Sequence, residues 1–186
     1  MRKKTKKVYG IGVNDADYPV MPVVDGVQVV CTYYSTWKSM LLRAFSKEFH
    51  KRQPTYADVT ICEEWLSFMK FHEWMECEDW ENKSLDKDIR IPGNKVYHPD
   101  GCCFVTPEIN LLLAPRARGV ILWDGRYRAT ICIYGKRKHL GYFPTVNEAE
   151  QAYKKAKKAH IKEVAATQTD ARIRDGLIRH AELLAA

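Results

Sequence analysis

The sequence predicts an α+β protein built in parts, and three observations carry that prediction. Segments with apolar residues every three or four positions alternate with short β-branched runs bounded by Asp-Gly and Pro-Gly turns. Near residue 119 the pattern changes from helices and turns to three closely spaced strands followed by one long helix. Charge changes along the chain as well. Residues 116–164 carry twelve Lys/Arg against four Asp/Glu, whereas residues 62–90 carry nine acids against four bases.

At 186 residues, the chain is long enough for one core or two small ones. No apolar run approaches the roughly 18 to 20 residues of a membrane span. The opening MRKKTKKVYG holds five positive charges but no apolar h-region, so it does not read as a secretory signal, and a cytoplasmic setting is expected. In a reducing compartment the six cysteines are expected as buried free thiols. There is no CxxC pair, and Cys102 and Cys103 are adjacent, so structural zinc is not expected. The net charge of +7 points to a polyanionic partner, with an ordinary solvated surface as the alternative.

Taken in order, Val8–Val13 reads as a short strand. Met21–Val30 reads as a hairpin, because Asp25-Gly26 suits a type I′ turn between β-branched runs. A helix is expected over Ser35–Phe49, with Trp37, Met40, Leu41, Ala44 and Phe45 on one face. A second is expected from Cys62 to about Met75. Its aromatic residues, Trp65, Phe68, Phe71 and Trp74 among them, are read as core. Glu81–Tyr97 is turn-rich, with strand candidates at Leu85–Ile91 and Lys95–Tyr97. Thr106 caps a helix over Pro107–Leu113, with Pro107 at its first position. Residues 114–119 form a linker.

Three strands follow at Val120–Trp123, Arg126–Tyr134 and Arg137–Phe143, with turns at Asp124-Gly125 and Gly135-Lys136. In the middle strand Tyr127, Ala129, Ile131 and Ile133 face one way and Arg126, Arg128, Thr130 and Cys132 the other. Thr145 and Glu148 have capping-box spacing at the start of a helix, and Ala149, Ala152, Tyr153 and Ala156 give that helix a small-residue face. Such a helix packs behind the sheet and leaves the other sheet face open. The candidate DNA contacts are Arg126, Arg128 and Thr130 on that face, Lys136, Arg137 and Lys138 at the adjoining turn, and Arg116 and Arg118 in the linker. Arginine reads guanine in the major groove, and lysines hold phosphates. Residues 165–186 form a last amphipathic helix, capped by Thr169 or Asp170. Ile173, Leu177, Ala181 and Leu184 share one face, able to dock on the body or to meet a second copy or a host protein.

The segment from Gly119 to His160 resembles the AP2/ERF-type DNA-binding domain found beside phage homing endonucleases. The resemblance is carried by Gly119-Val120, the run Arg126-Tyr127-Arg128-Ala129, Leu140-Gly141 with Phe143, and Glu148-Ala149 followed by Ala152-Tyr153. It implies a three-stranded antiparallel sheet packed on one helix, with double-stranded DNA as the partner. Strand one departs from the family pattern: it is apolar (Val120, Ile121, Leu122, Trp123) where such domains offer polar base readers.

The stretch from Leu85 to Asn110 is the candidate for chemistry. A carboxylate on a strand, a second strand and an Asn on the next helix can converge on a hard cation such as Mg²⁺, which accepts oxygen donors and keeps waters. The layout resembles the phage group of the ββα-metal, or HNH, nucleases. The matching residues are Leu85-Asp86-Lys87, Tyr97-His98-Pro99, Cys102-Cys103-Phe104-Val105-Thr106, Asn110, and upstream Cys62, Trp65 and Phe68. The resemblance implies Asp86 and Asn110 as ligands of Mg²⁺ or another divalent cation. The general-base histidine position is Lys87, and the middle Asn position is Gly101. His98 and His72 are the histidines near enough in sequence to serve instead, so the candidate catalytic residues are Asp86, Lys87 and His98. The other reading makes Asp86 and Asp88 loop charges pairing with Lys87 and Arg90.

The sequence thus predicts an HNH-like part over residues 1–115, an AP2-like DNA-binding part over 116–164 and a C-terminal helix over 165–186. The function expected first is a metal-dependent HNH-type DNA endonuclease or nickase. The alternatives are a catalytically inactive HNH-fold protein that binds DNA or regulates, and a phage effector that binds a host protein.

Overall fold

The computed structural model describes residues 7–114 and 119–184, and the chain is of mixed α+β composition. It divides into two compact units. Unit 1 comprises the chain up to Asp88 with Gly93–Phe104, and unit 2 comprises Ile89–Pro92 with the chain from Val105 onward.

Unit 1 begins with a tight turn rather than the expected strand. Val8 and Gly12 pair across Tyr9 and Gly10, both at positive φ. The hairpin β1 (Val23–Val24) and β2 (Val27–Gln28) forms as expected, with Asp25 at φ 52° and Gly26 at φ 78°, the backbone a type I′ turn requires. The first predicted helix is two helices, α1 (Thr32–Phe45) and α2 (Lys47–Arg52). Ser46 is extended between them, and its hydroxyl accepts the Phe49 N–H, so capping overrides the continuous apolar pattern. The second predicted helix is divided the same way. A 3₁₀ turn over Glu63–Leu66 ends at Ser67, which caps α3 (Phe68–Glu76). Asp15 supports that end of α3, accepting the Ser67 hydroxyl at 2.6 Å and the Met69 N–H at 2.9 Å.

The core of unit 1 is aromatic. Trp37, Trp65, Phe68 and Phe71 are closed off from solvent, with Met40, Leu41, Met75 and Leu85 around them. The Trp37 indole donates to the Trp65 carbonyl at 2.7 Å, which satisfies its one polar group in the core. The burial of Trp65, Phe68 and Phe71 agrees with their reading as core rather than as base-stacking groups.

The strands of unit 1 are short, and they end sooner than expected. The strand containing Leu85 is only β4 (Ser84–Asp86), and β5 is Val96–Tyr97. β5 pairs in parallel with β3 (Thr60–Ile61), whereas β4 pairs with β6 (Cys103–Val105). Thr106 then caps α4 (Pro107–Leu113) as expected.

Unit 2 contains an antiparallel sheet ordered β7 (Val120–Trp123), β8 (Arg126–Ile133) and β9 (Lys136–Phe143). Its second turn lies one residue earlier than expected, at Tyr134-Gly135, both at positive φ. The helix α5 (Val146–Ala166) starts with the expected capping box and packs against all three strands. A last helix, α6 (Ala171–Leu183), capped by Asp170, packs on α5 and buries Ile173, Gly176, Leu177 and Ala181 within the unit. Of the six cysteines, Cys102 and Cys103 are buried as expected, but Cys77 and Cys132 are exposed. No described helix is long and apolar enough to cross a membrane.

Candidate nucleic-acid interface and active-site loop

Burial along β8 alternates as an amphipathic strand dictates. Ala129 and Ile131 are buried on the side of α5, while Arg126 and Cys132 are exposed on the other. The register places the neighbours of the outward residues directly beside them. Ile121 and Tyr142 flank Arg128 from β7 and β9, Trp123 stands opposite Arg126, His139 opposite Thr130, and Arg137 opposite Cys132. A bulge after Ala129 is accommodated at Leu140, which lets both halves of β9 keep their place beside β8.

The outward side chains form an arginine–aromatic surface. The Arg128 guanidinium stacks over the Trp123 ring, 4.7 Å from its centroid, and the Nε of Arg128 is buried with no hydrogen-bond partner among the described residues. His139 and Tyr142 rings lie 4.8 Å apart. Ile121, Trp123 and Tyr142 are each close to half exposed, at 41%, 52% and 47%. Sequence reasoning names Arg126, Arg128 and Thr130 but misses Ile121, Trp123, His139 and Tyr142. The signal is present in the sequence, because the alternation used for β8 assigns faces to β7 and β9 once the register is known.

Among the described residues Arg126, Arg128, Lys136, Arg137 and Lys138 take part in no ion pair. Five of the cations of unit 1 behave differently. Lys51, Lys70, Lys83, Lys87 and Lys95 each have a carboxylate partner. Arg116 and Arg118 lie outside the described residues.

In unit 1 the chain after β4 forms a fastened loop. Asp86 accepts the N–H of Asp88 through Oδ1 at 2.9 Å, so one carboxylate oxygen holds the turn that follows. Lys87 is almost closed to solvent, at 9% exposure. Its ammonium donates to the Asn94 carbonyl at 2.9 Å, lies 3.4 Å from Asp88 Oδ2, and sits over the Tyr56 ring. Asn94 answers through its amide, donating to the carbonyls of Lys87 at 2.7 Å and Val96 at 2.8 Å. Both backbone limbs of the loop are therefore tied by one Lys–Asn pair.

His98 faces the backbone of Gly101 so closely that a Cβ there would collide with its ring. Its carbonyl accepts the N–H groups of Gly101 and Cys102, and it is the ring lying over Gly101, not the turn itself, that leaves no room for a Cβ. Burial, with the nearby Asp86 charge adding to it, pushes the Cys102 thiol up to about 12. Tyr97 is raised above its ordinary value, again chiefly by burial, and its hydroxyl accepts from Arg43 at 3.5 Å. Asp86, Lys87 and His98 belong to unit 1, whereas Asn110 belongs to unit 2, exposed on α4. Among the described residues no three His, Cys, Asp or Glu side chains gather as a metal-binding group.

No protein-family model, no curated protein and no solved structure matches the chain.

Proposed function

We propose that this chain is a double-stranded-DNA-binding protein that contacts its target through the open face of the β7–β8–β9 sheet. The observation that carries the reading is the set of unpaired cations, Arg126, Arg128, Lys136, Arg137 and Lys138, on and beside that face. A cation without an internal partner is available to a phosphate or a base edge. Among the described residues the lysines of α5 take part in no ion pair either, so basic charge alone does not select the sheet. The arginine–aromatic composition does, because arginine matches the guanine edge and phosphates impose no need for aromatic neighbours. The resemblance to AP2/ERF-type domains supports the same surface. Replacing Arg126 and Arg128 together by Ala should weaken duplex binding by about 1–3 kcal/mol for each base that an arginine reads, as measured by fluorescence anisotropy. Unchanged binding would mean that another surface, α5 foremost, holds the DNA.

A metal-dependent HNH-type endonuclease is the second reading. The Asp86 carboxylate is a hard oxygen donor of the kind that Mg²⁺ takes with retained waters, and the resemblance adds the amide oxygen of Asn110, which belongs to the other unit. Such an ion supplies Lewis-acid stabilisation of a phosphodiester's leaving oxygen. The chain's own contribution is the Lys87–Asn94 tie, which holds the segment next to Asp86 in place. Lys87, as a cation donating to a carbonyl, serves as a positioning group in this arrangement rather than as a proton acceptor. That leaves His98 as the candidate base, with the catalytically inactive scaffold as the alternative. Supercoiled plasmid with Mg²⁺ or Mn²⁺ decides between them. Relaxation or linearisation that vanishes in Asp86→Ala supports the nuclease. An intact plasmid alongside salt-sensitive duplex binding supports the scaffold.

A further inference from the structure

The open sheet face has a feature that general DNA binding does not require. Its central arginine is set among apolar side chains. Arg128 has Ile121 directly beside it on β7, Tyr142 directly beside it on β9, and its guanidinium stacked on Trp123. Phosphates suit a polar, hydrated surround, and apolar groups pressed against polar base edges strip water without replacing its hydrogen bonds. A pyrimidine 5-methyl is the apolar group that duplex DNA offers in the major groove, where the N7 and O6 acceptors of guanine also open.

Resting on the DNA-binding reading above, we propose that this face reads a 5-methylpyrimidine–guanine step, thymine or 5-methylcytosine beside guanine, with Arg128 on the guanine and Ile121 and Trp123 against the methyl. Trp123 fixes the plane of the guanidinium by stacking while leaving its edge for the base. Its Nε is buried, so the base contact falls to the two terminal nitrogens of the guanidinium, and among the described residues Arg128 takes part in no ion pair. Arg126 lies at the end of β8, and Lys136, Arg137 and Lys138 lie at the far turn, positions suited to the flanking phosphates. The same chemistry discriminates against RNA, whose uracil lacks the methyl and whose major groove is too deep and narrow for side chains to read. A single-stranded target would instead use the aromatic rings as stacking platforms. Here Trp123 already has Arg128 as its partner and Tyr142 has His139.

The test uses the full chain and a pool of duplexes with a randomised centre. Rounds of selection should enrich a thymine–guanine step. In the enriched duplex, replacing that one thymine by deoxyuridine removes only the methyl and should weaken binding roughly fourfold, the worth of one buried methyl-sized group. Replacing it by 5-methylcytosine, with guanine placed opposite, should bind more tightly than the same duplex with unmethylated cytosine. Ile121→Thr keeps the β-branched shape of an exposed strand residue and should reduce the methyl preference without abolishing binding. Equal affinity for the thymine and uracil duplexes overturns the proposal while leaving DNA binding intact, as does a selected sequence with no such step. Tighter binding to the single strand than to the duplex overturns it in favour of stacking. Failure to retain any duplex overturns the DNA-binding reading and this proposal together.

Discussion

Lys87 is a buried cation, and what surrounds it explains how it is tolerated. The Asn94 carbonyl, the Asp88 carboxylate and the Tyr56 ring together replace part of the water that a lysine ammonium loses on burial. Replacing it with Met keeps the stem and its packing but leaves that carbonyl without its donor. Lys87→Met should therefore cost about 1–3 kcal/mol, read as a lower urea midpoint. An unchanged midpoint would mean that the Asn94 side chain holds the loop alone. The thiols give a second residue-scale expectation. Cys102 is held protonated by burial, with a pKa of about 12, and thiols react as thiolates. Alkylation of the native protein at pH 8 should label the exposed Cys77 and Cys132 first and reach Cys102 only on unfolding, as peptide mapping would show. Labelling of Cys102 in the folded state would refute that picture. The sequence singles out Asp86, Lys87 and Arg128 because their chemistry is local. It does not show that Lys87 is closed to solvent or that Trp123 supports Arg128, since both facts come from partners outside the immediate segment.

Elements are legible where a local signal fixes both ends. Thr106 with Pro107 sets the start of α4, the Thr145–Glu148 box sets α5, and Asp25-Gly26 sets the first hairpin. They are misread where the apolar period runs through a cap. Ser46 and Ser67 each interrupt a continuous hydrophobic pattern by taking a backbone N–H that a longer helix would not offer. The pairing of β4 with β6 rather than with β5 is not legible, because strand partners are chosen by tertiary contacts and not by periodicity. Helix α6 has two features that can be tested as an element. Asp170 caps it, its carboxylate accepting the Arg172 N–H at 2.8 Å and the Arg172 guanidinium. The Arg172 hydrogen bond holds the Asp170 carboxyl below the ordinary carboxylate range. A pKa depressed on folding contributes stability above the unfolded value, about 3.9, and loses it as pH falls through the folded value. Asp170→Ala should thus lower stability by about 1 kcal/mol at neutral pH. The gap to the unmodified protein should narrow as pH drops below about 4. A gap that does not change with acid would remove the charge from the explanation. The second feature is Gly176, whose missing side chain lets α6 meet the Ile89 carbonyl, while Arg179 donates to the Arg90 carbonyl at 3.3 Å. Alanine is better than glycine in a helix by about 1 kcal/mol, yet its Cβ would strike that carbonyl. Gly176→Ala should therefore destabilise despite its propensity, with faster amide exchange at residues 89–92. A stabilised variant would show that the close approach can relax.

For the molecule as a whole, charge placement separates what binds from what merely makes the chain basic. The net charge of +7 is the difference between 30 cations and 23 acids, and many of the cations in unit 1 are already neutralised by neighbours. Those around the sheet of unit 2 are not. Each unpaired cation that meets a phosphate releases a counterion, so the logarithm of affinity should fall with the logarithm of salt by about 0.9 per phosphate met. If Lys136, Arg137 and Lys138 hold phosphates, changing all three to Ala should make the slope shallower by about 2 to 3 and weaken all duplexes alike. Changing Arg128 should act in the opposite sense, leaving most of the slope in place while flattening the preference among sequences, because a base contact carries information and a phosphate contact carries charge. The comparison is informative because both sets belong to the same small sheet and differ only in where the register places them. A triple variant with an unchanged salt slope would move the phosphate contacts to α5, and the lysines of that helix would then be the set to replace.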